Sequence, residues 1–368
     1  MARLVRANYC GVALEYWMKQ MIRTFSIILA LFVAMTSGAR ANSANGITTP
    51  ATLIAYFNQI DGNHVISGQF IGPGPIFPIN AIHAVTSKWL GMIGGDYFHY
   101  DGGGIVTSFN PIAIQYWNAG GLVTLTLAIP NPTTSGAVHD VSRLHAAELL
   151  TPGSATYNKY VFMLNQIADA LRTLQTAGVV VILRPFHESN GEWFWWGTKF
   201  LSTAQFQSLW KFTHTYLTKN KGLHNLVWLY SVNANTGSLT ARYPGDSYVD
   251  VTGFDLYSND PGQGVASYNT LVALGKPTSF SEFGPRSPEL GDTNFQQTAL
   301  TTALQDQMPR ITFWQQWWDG NAGKTGWGMG KVRNLSAALS SVRVINRNDI
   351  VYCANAGPDT GQGCVRPK

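Results

Sequence analysis

The sequence predicts an α/β fold, a (β/α)8 TIM barrel, and three observations carry that expectation. Apolar, β-branched runs ending in polar or glycine residues recur eight times between residues 64 and 318. Between several of them the apolar spacing turns to three and four residues, and strands alternating with helices make a parallel sheet. No G-x-G-x-x-G follows the first run, which argues against an open doubly wound sheet with a nucleotide loop. Eight such units in about 300 residues fit a closed barrel.

The strands, in order, are residues 64–69 (HVISGQ), 90–96 (LGMIGGD), 121–128 (GLVTLTLA) and 179–188 (VVVILRPFHE). Residues 226–233 (LVWLYSVN), 249–257 (VDVTGFDLY), 277–284 (PTSFSEFG) and 310–318 (RITFWQQWW) follow. Residues 157–177 and 203–217 carry helical apolar spacing. The DGGG at residues 101–104 opens no helix and reads as a turn.

The barrel is expected over residues 42–345. Before it, Met21-Ile22-Arg23 supplies a short basic start, Phe25 to Met35 an apolar run, and Ala39-Arg40-Ala41 an A-x-A site. That is the layout of a signal peptide over residues 1–41, with Met21 as a possible true start. The run is too short to span a bilayer, so no stable membrane insertion is expected after cleavage. The mature chain is expected to be secreted or periplasmic, and monomeric. Residues 346–368 form a C-terminal extension. Within it Cys353 and Cys364 enclose a short glycine-rich loop, which in an exported chain reads as a disulfide.

Composition narrows the function. Residues 1–41 hold +4 of the formal +5, so little positive charge remains for nucleic acid. Charged residues are only 12% of the chain, while Trp (12) and Tyr (15) are abundant. Such a surface suits neutral, hydroxyl-rich ligands.

Barrel enzymes place their chemistry at the C-terminal ends of strands. Asp96, Glu188, Asp255 and Glu282 end strands two, four, six and seven, and Asp319 just follows the eighth. The two Glu residues lie in dense contexts, RPFHE and SEFG. Two carboxylates across a cleft are the minimum machinery for glycoside hydrolysis. One protonates the leaving oxygen while the other attacks the anomeric carbon or activates water. A carboxyl separation of about 5–5.5 Å goes with retention, and about 6.5–9.5 Å with inversion.

Competing chemistries lack their motifs. His187-Glu188 is not H-E-x-x-H, because position 191 is Gly. The other His residues show no ligand spacing, so no metal or cofactor is expected. No G-x-S-x-G stands in the chain. Arg184 lies four residues before Glu188, so strand alternation puts both toward the barrel axis unless Pro185 disturbs it. Trp193, Phe194, Trp195 and Trp196 follow Glu188. One or two of them are expected to face a sugar, Trp193 first. Of Trp317 and Trp318, one should point inward and one outward.

RPFHESNGEWFWWG, YPGDSYVDVTGFDLY and SEFG resemble glycoside hydrolase family 26, the β-mannanase family of a large retaining (β/α)8 clan. The resemblance spans roughly residues 48–340. It implies Glu188 as acid/base and Glu282 as nucleophile. It implies that His187 contacts the nucleophile or the −1 sugar, that Arg184 supports the network, and that Tyr257 hydrogen-bonds the nucleophile. Trp193 would line a subsite, and Trp317 or Trp318 would floor the −1 subsite. The third strand departs from the pattern: Leu127-Ala128 stands where many members have Trp-His, although Asn131-Pro132 is kept.

The expected function is a secreted retaining endo-β-1,4-mannanase acting on polysaccharide or oligosaccharide. The alternatives are a β-1,3-xylanase, a mixed-linkage β-glucanase or an exopolysaccharide-trimming hydrolase of the same family. A further alternative is a non-catalytic carbohydrate-binding protein.

Overall fold

The computed structural model describes residues 45–100, 102–286, 291–318 and 327–353. The expected signal peptide, residues 1–41, and Cys364 lie outside the described residues.

Eight parallel strands close a ring: β1 (Val65–Phe70), β2 (Met92–Asp96), β3 (Leu122–Leu127), β4 (Val181–Pro185), β5 (Leu226–Asn233), β6 (Val251–Tyr257), β7 (Thr278–Gly284) and β8 (Ile311–Gln316). Each pairs with the next in sequence, and β1 pairs with both β2 and β8, which leaves no edge in the ring. A two-residue strand, β9 (Val344–Ile345), adds to the start of β1. Side chains fill the ring and helices cover its outside, so both faces of each strand are dry. Hence β4 and β7 are buried along their whole length.

The helices are α1 (Pro50–Ile60), α2 (Phe77–Thr86), α3 (Phe109–Asn118), α4 (Ala155–Thr176), α5 (Thr203–Thr215), α6 (Val265–Val272), α7 (Gln297–Asp306) and α8 (Leu335–Leu339). Local chemistry sets their starts. The Ser154 hydroxyl accepts the Tyr157 N–H and opens α4. Ser202 and Gln205 cap each other reciprocally and open α5. Tyr160, Leu164, Ile167, Leu171 and Leu174 then form the buried stripe of α4.

The alternation of strand and helix fails once. Between β5 and β6 there is no α-helix, only a 3-10 turn at Asp246–Tyr248. Residues 233–247 (NANTGSLTARYPGDS) lack an apolar stripe and contain Gly237, Pro244 and Gly245. Trp210 of α5 reaches across this gap, its indole N–H donating to the Tyr248 carbonyl at 3.0 Å.

Two irregularities at the C-terminal end of the barrel re-aim side chains. In β7, Phe280 pairs with Phe254 of β6, but Glu282 pairs with Asp255. Ser281 is therefore an extra residue, a β-bulge. Phe280 and Phe283 contact each other at 5.4 Å, and Phe280 also meets Phe254 at 4.4 Å. Ser281 and Glu282 both face the interior, which strict period-two alternation forbids. In β4 the strand ends at Pro185, and Phe186 and Glu188 take φ of 50° and 51°. Two non-glycine residues in the left-handed region within three positions mark local strain of the kind found at functional sites. The twist sends Phe186 into Trp195, Trp196, Phe206 and Trp210. The regular alternation therefore ends after Pro185, and no hydrogen bond or ion pair joins Arg184 to Glu188 among the described residues.

Candidate active site

Arg184 is fully buried among the interior residues at the strand ends. One guanidinium nitrogen donates to both Asp255 oxygens, at 3.1 and 3.0 Å. Another donates to Glu282 Oε2 at 2.8 Å, and Nε donates to Thr126 at 3.1 Å. Asp255 also accepts from Ser231 at 2.9 Å and Ser281 at 2.7 Å. Tyr257, on the neighbouring strand, donates its hydroxyl to Glu282 Oε1. Both Glu282 oxygens are therefore held, one by a cation and one by a phenol. Burial works against the Arg184 charge, but the Asp255 and Glu282 carboxylates outweigh it and hold Arg184 above its ordinary value. For the Asp255 carboxyl, burial raises the pKa and Arg184 opposes that rise.

Glu188 has a different setting. Its backbone N–H donates to the Ser231 carbonyl at 3.0 Å, which ties the turn after β4 to β5. Among the described residues its carboxylate meets no cation. The Trp193 indole donates to Oε2 at 2.7 Å and Asn233 to Oε1 at 2.8 Å. Asn190 fixes Asn233 in turn, accepting its backbone N–H at 2.9 Å and donating to its carbonyl at 2.8 Å. Burial, then the charges of Asp255 and Glu282, push the Glu188 carboxyl up to about 8, against the two hydrogen bonds. At neutral pH it is a protonated acid beside a charge-compensated carboxylate. That is the pairing acid-assisted glycoside cleavage requires.

The aromatic cluster divides. Phe194, Trp195 and Trp196 are buried, whereas Trp193 is 37% exposed. Trp195 and Trp196 use their indole N–H groups to pin the carbonyls of Ile129, at 2.7 Å, and His187, at 2.9 Å. Beyond β8, Trp317 stacks on Phe70 at 4.2 Å and meets the edge of Tyr100 at 6.0 Å, which places it at the cleft. Trp318 turns away and packs over Gly72, where an added Cβ would lie 3.3 Å from the indole ring. His187 hydrogen-bonds Tyr100 at 3.1 Å rather than Glu282. Among the described residues no group of three or more His, Cys, Asp or Glu has metal-binding geometry.

The Glycosyl hydrolase family 26 profile matches residues 42–349. The chain belongs to glycosyl hydrolase family 26. It is a glycoside hydrolase, and its family works with retention of configuration. A mannan endo-1,4-beta-mannosidase of Bacillus subtilis is 30% identical over 329 residues, covering 81% of this chain and 89% of its own. Mannan endo-1,4-beta-mannosidase A and B of Caldalkalibacillus mannanilyticus is 29% identical over 355 residues, 90% of this chain and 67% of that one. A solved structure of a Bacillus subtilis mannanase matches with a TM-score of 0.75 at 28% identity, covering 85% of this chain and 96% of that one.

Within this family 26 site, the third strand presents no polar side chain at its very end. Leu127 and Ala128 are fully buried, and the Ala128 N–H donates to Asp96 at 3.2 Å. Asp96 also accepts from the Phe98 N–H at 2.9 Å, and its other oxygen is buried without a partner. Burial pushes its carboxyl up to about 8, against these backbone donors. It braces β2 against β3. Thr126, Ser231, Asn233, Ser281 and Tyr100 were not legible as site residues. Asn233 and Ser281 carry the nearest signal, since they lie at or near the ends of predicted strands.

Proposed function

We propose that this family 26 hydrolase is an endo-β-1,4-mannanase in which Glu282 is the nucleophile and Glu188 the acid/base. The observation that carries the substrate is the likeness to mannan endo-1,4-beta-mannosidases over 81–90% of the chain. The unlike settings of the two carboxyls support the roles. Glu282, held by Arg184 and Tyr257, attacks the anomeric carbon as Glu188 gives its proton to the leaving oxygen. A covalent glycosyl-enzyme forms, and Glu188 then takes a proton from the attacking water. Trp193 holds Glu188 and offers its exposed face to a sugar on the leaving-group side. Trp317 floors the −1 subsite.

The mature enzyme acts outside the cytoplasm, secreted or periplasmic, as a monomer, with Cys353 and Cys364 paired. The layout of residues 1–41 supports the export. The test of the substrate is product analysis on mannan, glucomannan, β-1,3-xylan and mixed-linkage β-glucan. Rapid release of manno-oligosaccharides from mannan is expected. Faster cleavage of the xylan or of mixed-linkage glucan contradicts the assignment, and binding without cleavage contradicts the enzyme.

A further inference from the structure

We propose that Tyr100 is a substrate-binding residue of the −1 subsite, its hydroxyl accepting a hydrogen bond from His187 and donating one to a hydroxyl of the sugar. The inference rests on the hydrolase reading of the Glu188–Glu282 site and adds a residue to it. Tyr100 lies in the loop after β2, four residues beyond Asp96. Its hydroxyl lies 3.1 Å from His187 Nε2, and His187 immediately precedes Glu188. Its ring meets Trp317 edge-on at 6.0 Å and His139 at 5.9 Å. It is half-buried, so the ring is fixed while part of it still faces the cleft.

The direction of the hydrogen bond follows from His187. Burial, then the Arg184 charge, holds the imidazole well below its ordinary value, so it is neutral and carries one N–H. Its Nδ1 is buried with no partner among the described residues. A buried N–H left unpaired is the rarer and more costly defect, so the proton sits on Nε2, where the Tyr100 oxygen accepts it. The phenol stays protonated, because burial and the Glu282, Asp96 and Glu188 charges all oppose its ionisation. Its own O–H then needs an acceptor, and among the described residues no second hydrogen bond fixes it. A sugar hydroxyl over Trp317 meets this O–H directly.

The test compares wild type with Tyr100→Phe, which keeps the ring and its packing. The substrates are 4-nitrophenyl β-mannobioside and its monodeoxy analogues at the sugar bonded to nitrophenol, with the matching β-glucobioside and β-xylobioside. On the parent substrate the variant should lose roughly 10- to 100-fold in kcat/KM. On one deoxy analogue the two enzymes should converge to within about twofold, which identifies the hydroxyl contacted. Retention of parental kcat/KM by the variant overturns the proposal. Equal impairment on every analogue overturns it too, because that is the pattern of a packing role. Preference of the wild type for the gluco or xylo substrate contradicts the mannanase assignment instead, and the Tyr100 ratio is then read on that series. In the imidazole 15N spectrum, His187 should show the Nε2–H tautomer in wild type and lose it in the variant. An Nδ1–H tautomer in wild type contradicts the donor direction.

Discussion

Glu282 and Glu188 are the same side chain in two opposed settings. Glu282 lies inside β7, aimed inward by the Ser281 bulge, and each of its oxygens has a strong donor, one of them the Arg184 cation. Glu188 lies beyond the end of its strand in a left-handed turn, and among the described residues only the neutral donors Trp193 and Asn233 reach it. One is anchored by charge and rigid backbone, the other by a strained turn and two hydrogen bonds. The difference teaches how one barrel mouth gives one carboxyl a cation and pushes its neighbour's pKa up by burial. Arg184 is spent on strands six and seven, and strand four, which supplies it, keeps none of its charge for Glu188.

The largest effect tests the two roles together. Glu282→Ala should cut kcat/KM by about 10,000-fold on both mannan and activated aryl glycosides. Glu188→Ala should do so on mannan but be partly spared in the first, bond-breaking step of aryl substrates that need no acid. A pre-steady-state burst of nitrophenol from the Glu188 variant alone checks this. Next in size, Arg184→Met leaves Asp255 and Glu282 buried without their cation. A loss of about 3–5 kcal/mol in urea unfolding is expected, since half of a buried ion pair is removed. A stable Arg184→Met protein contradicts the charge-anchored account of Glu282.

A smaller effect separates the two settings by pH. The Asn233 hydrogen bond favours the ionised form of Glu188, so Asn233→Ala should raise its pKa further. The alkaline limb of kcat/KM, near 8 in wild type by the carboxyl's own value, should move upward. A downward shift contradicts it. The smallest effect is on stability. The folded pKa of Glu188 lies above that of a free carboxyl, so folding favours its protonated form. That contribution is full below the ordinary carboxylate range and is lost as pH rises toward and through about 8. Glu188→Gln removes the penalty, so Tm should rise by about 2 °C at pH 8 and less at pH 5.

Much of this was legible in the sequence, for physical reasons. Buried parallel strands are apolar on both faces, so eight runs could be counted directly, and carboxylates at their ends stand out against such runs. The helical spacing of residues 157–177 survived as α4 (Ala155–Thr176). The rest depends on where alternation breaks. The Ser281 bulge decides that Glu282 shares Arg184 with Asp255, and nothing in TSFSEFG marks the extra residue. Parity also ends with β8, so Trp317 and Trp318 could be divided only by their contacts with Tyr100 and Gly72. Tyr100 sits in a loop, and its approach to His187 is a matter of chain path. His187 itself was expected near the nucleophile or the sugar. It pairs with Tyr100 because the turn at Phe186 and Glu188 points it toward the second strand.

The most direct test of the central claim is the configuration of the glycosyl azide formed when Glu188→Ala cleaves 4-nitrophenyl β-mannobioside in azide. With Glu282 as nucleophile, azide replaces water at the covalent intermediate and enters on the face that Glu188 no longer guards. The account predicts a β-mannobiosyl azide from Glu188→Ala, and an α azide from Glu282→Ala, where azide stands in for the missing carboxylate. An α product from the Glu188 variant would contradict the assignment of the two roles.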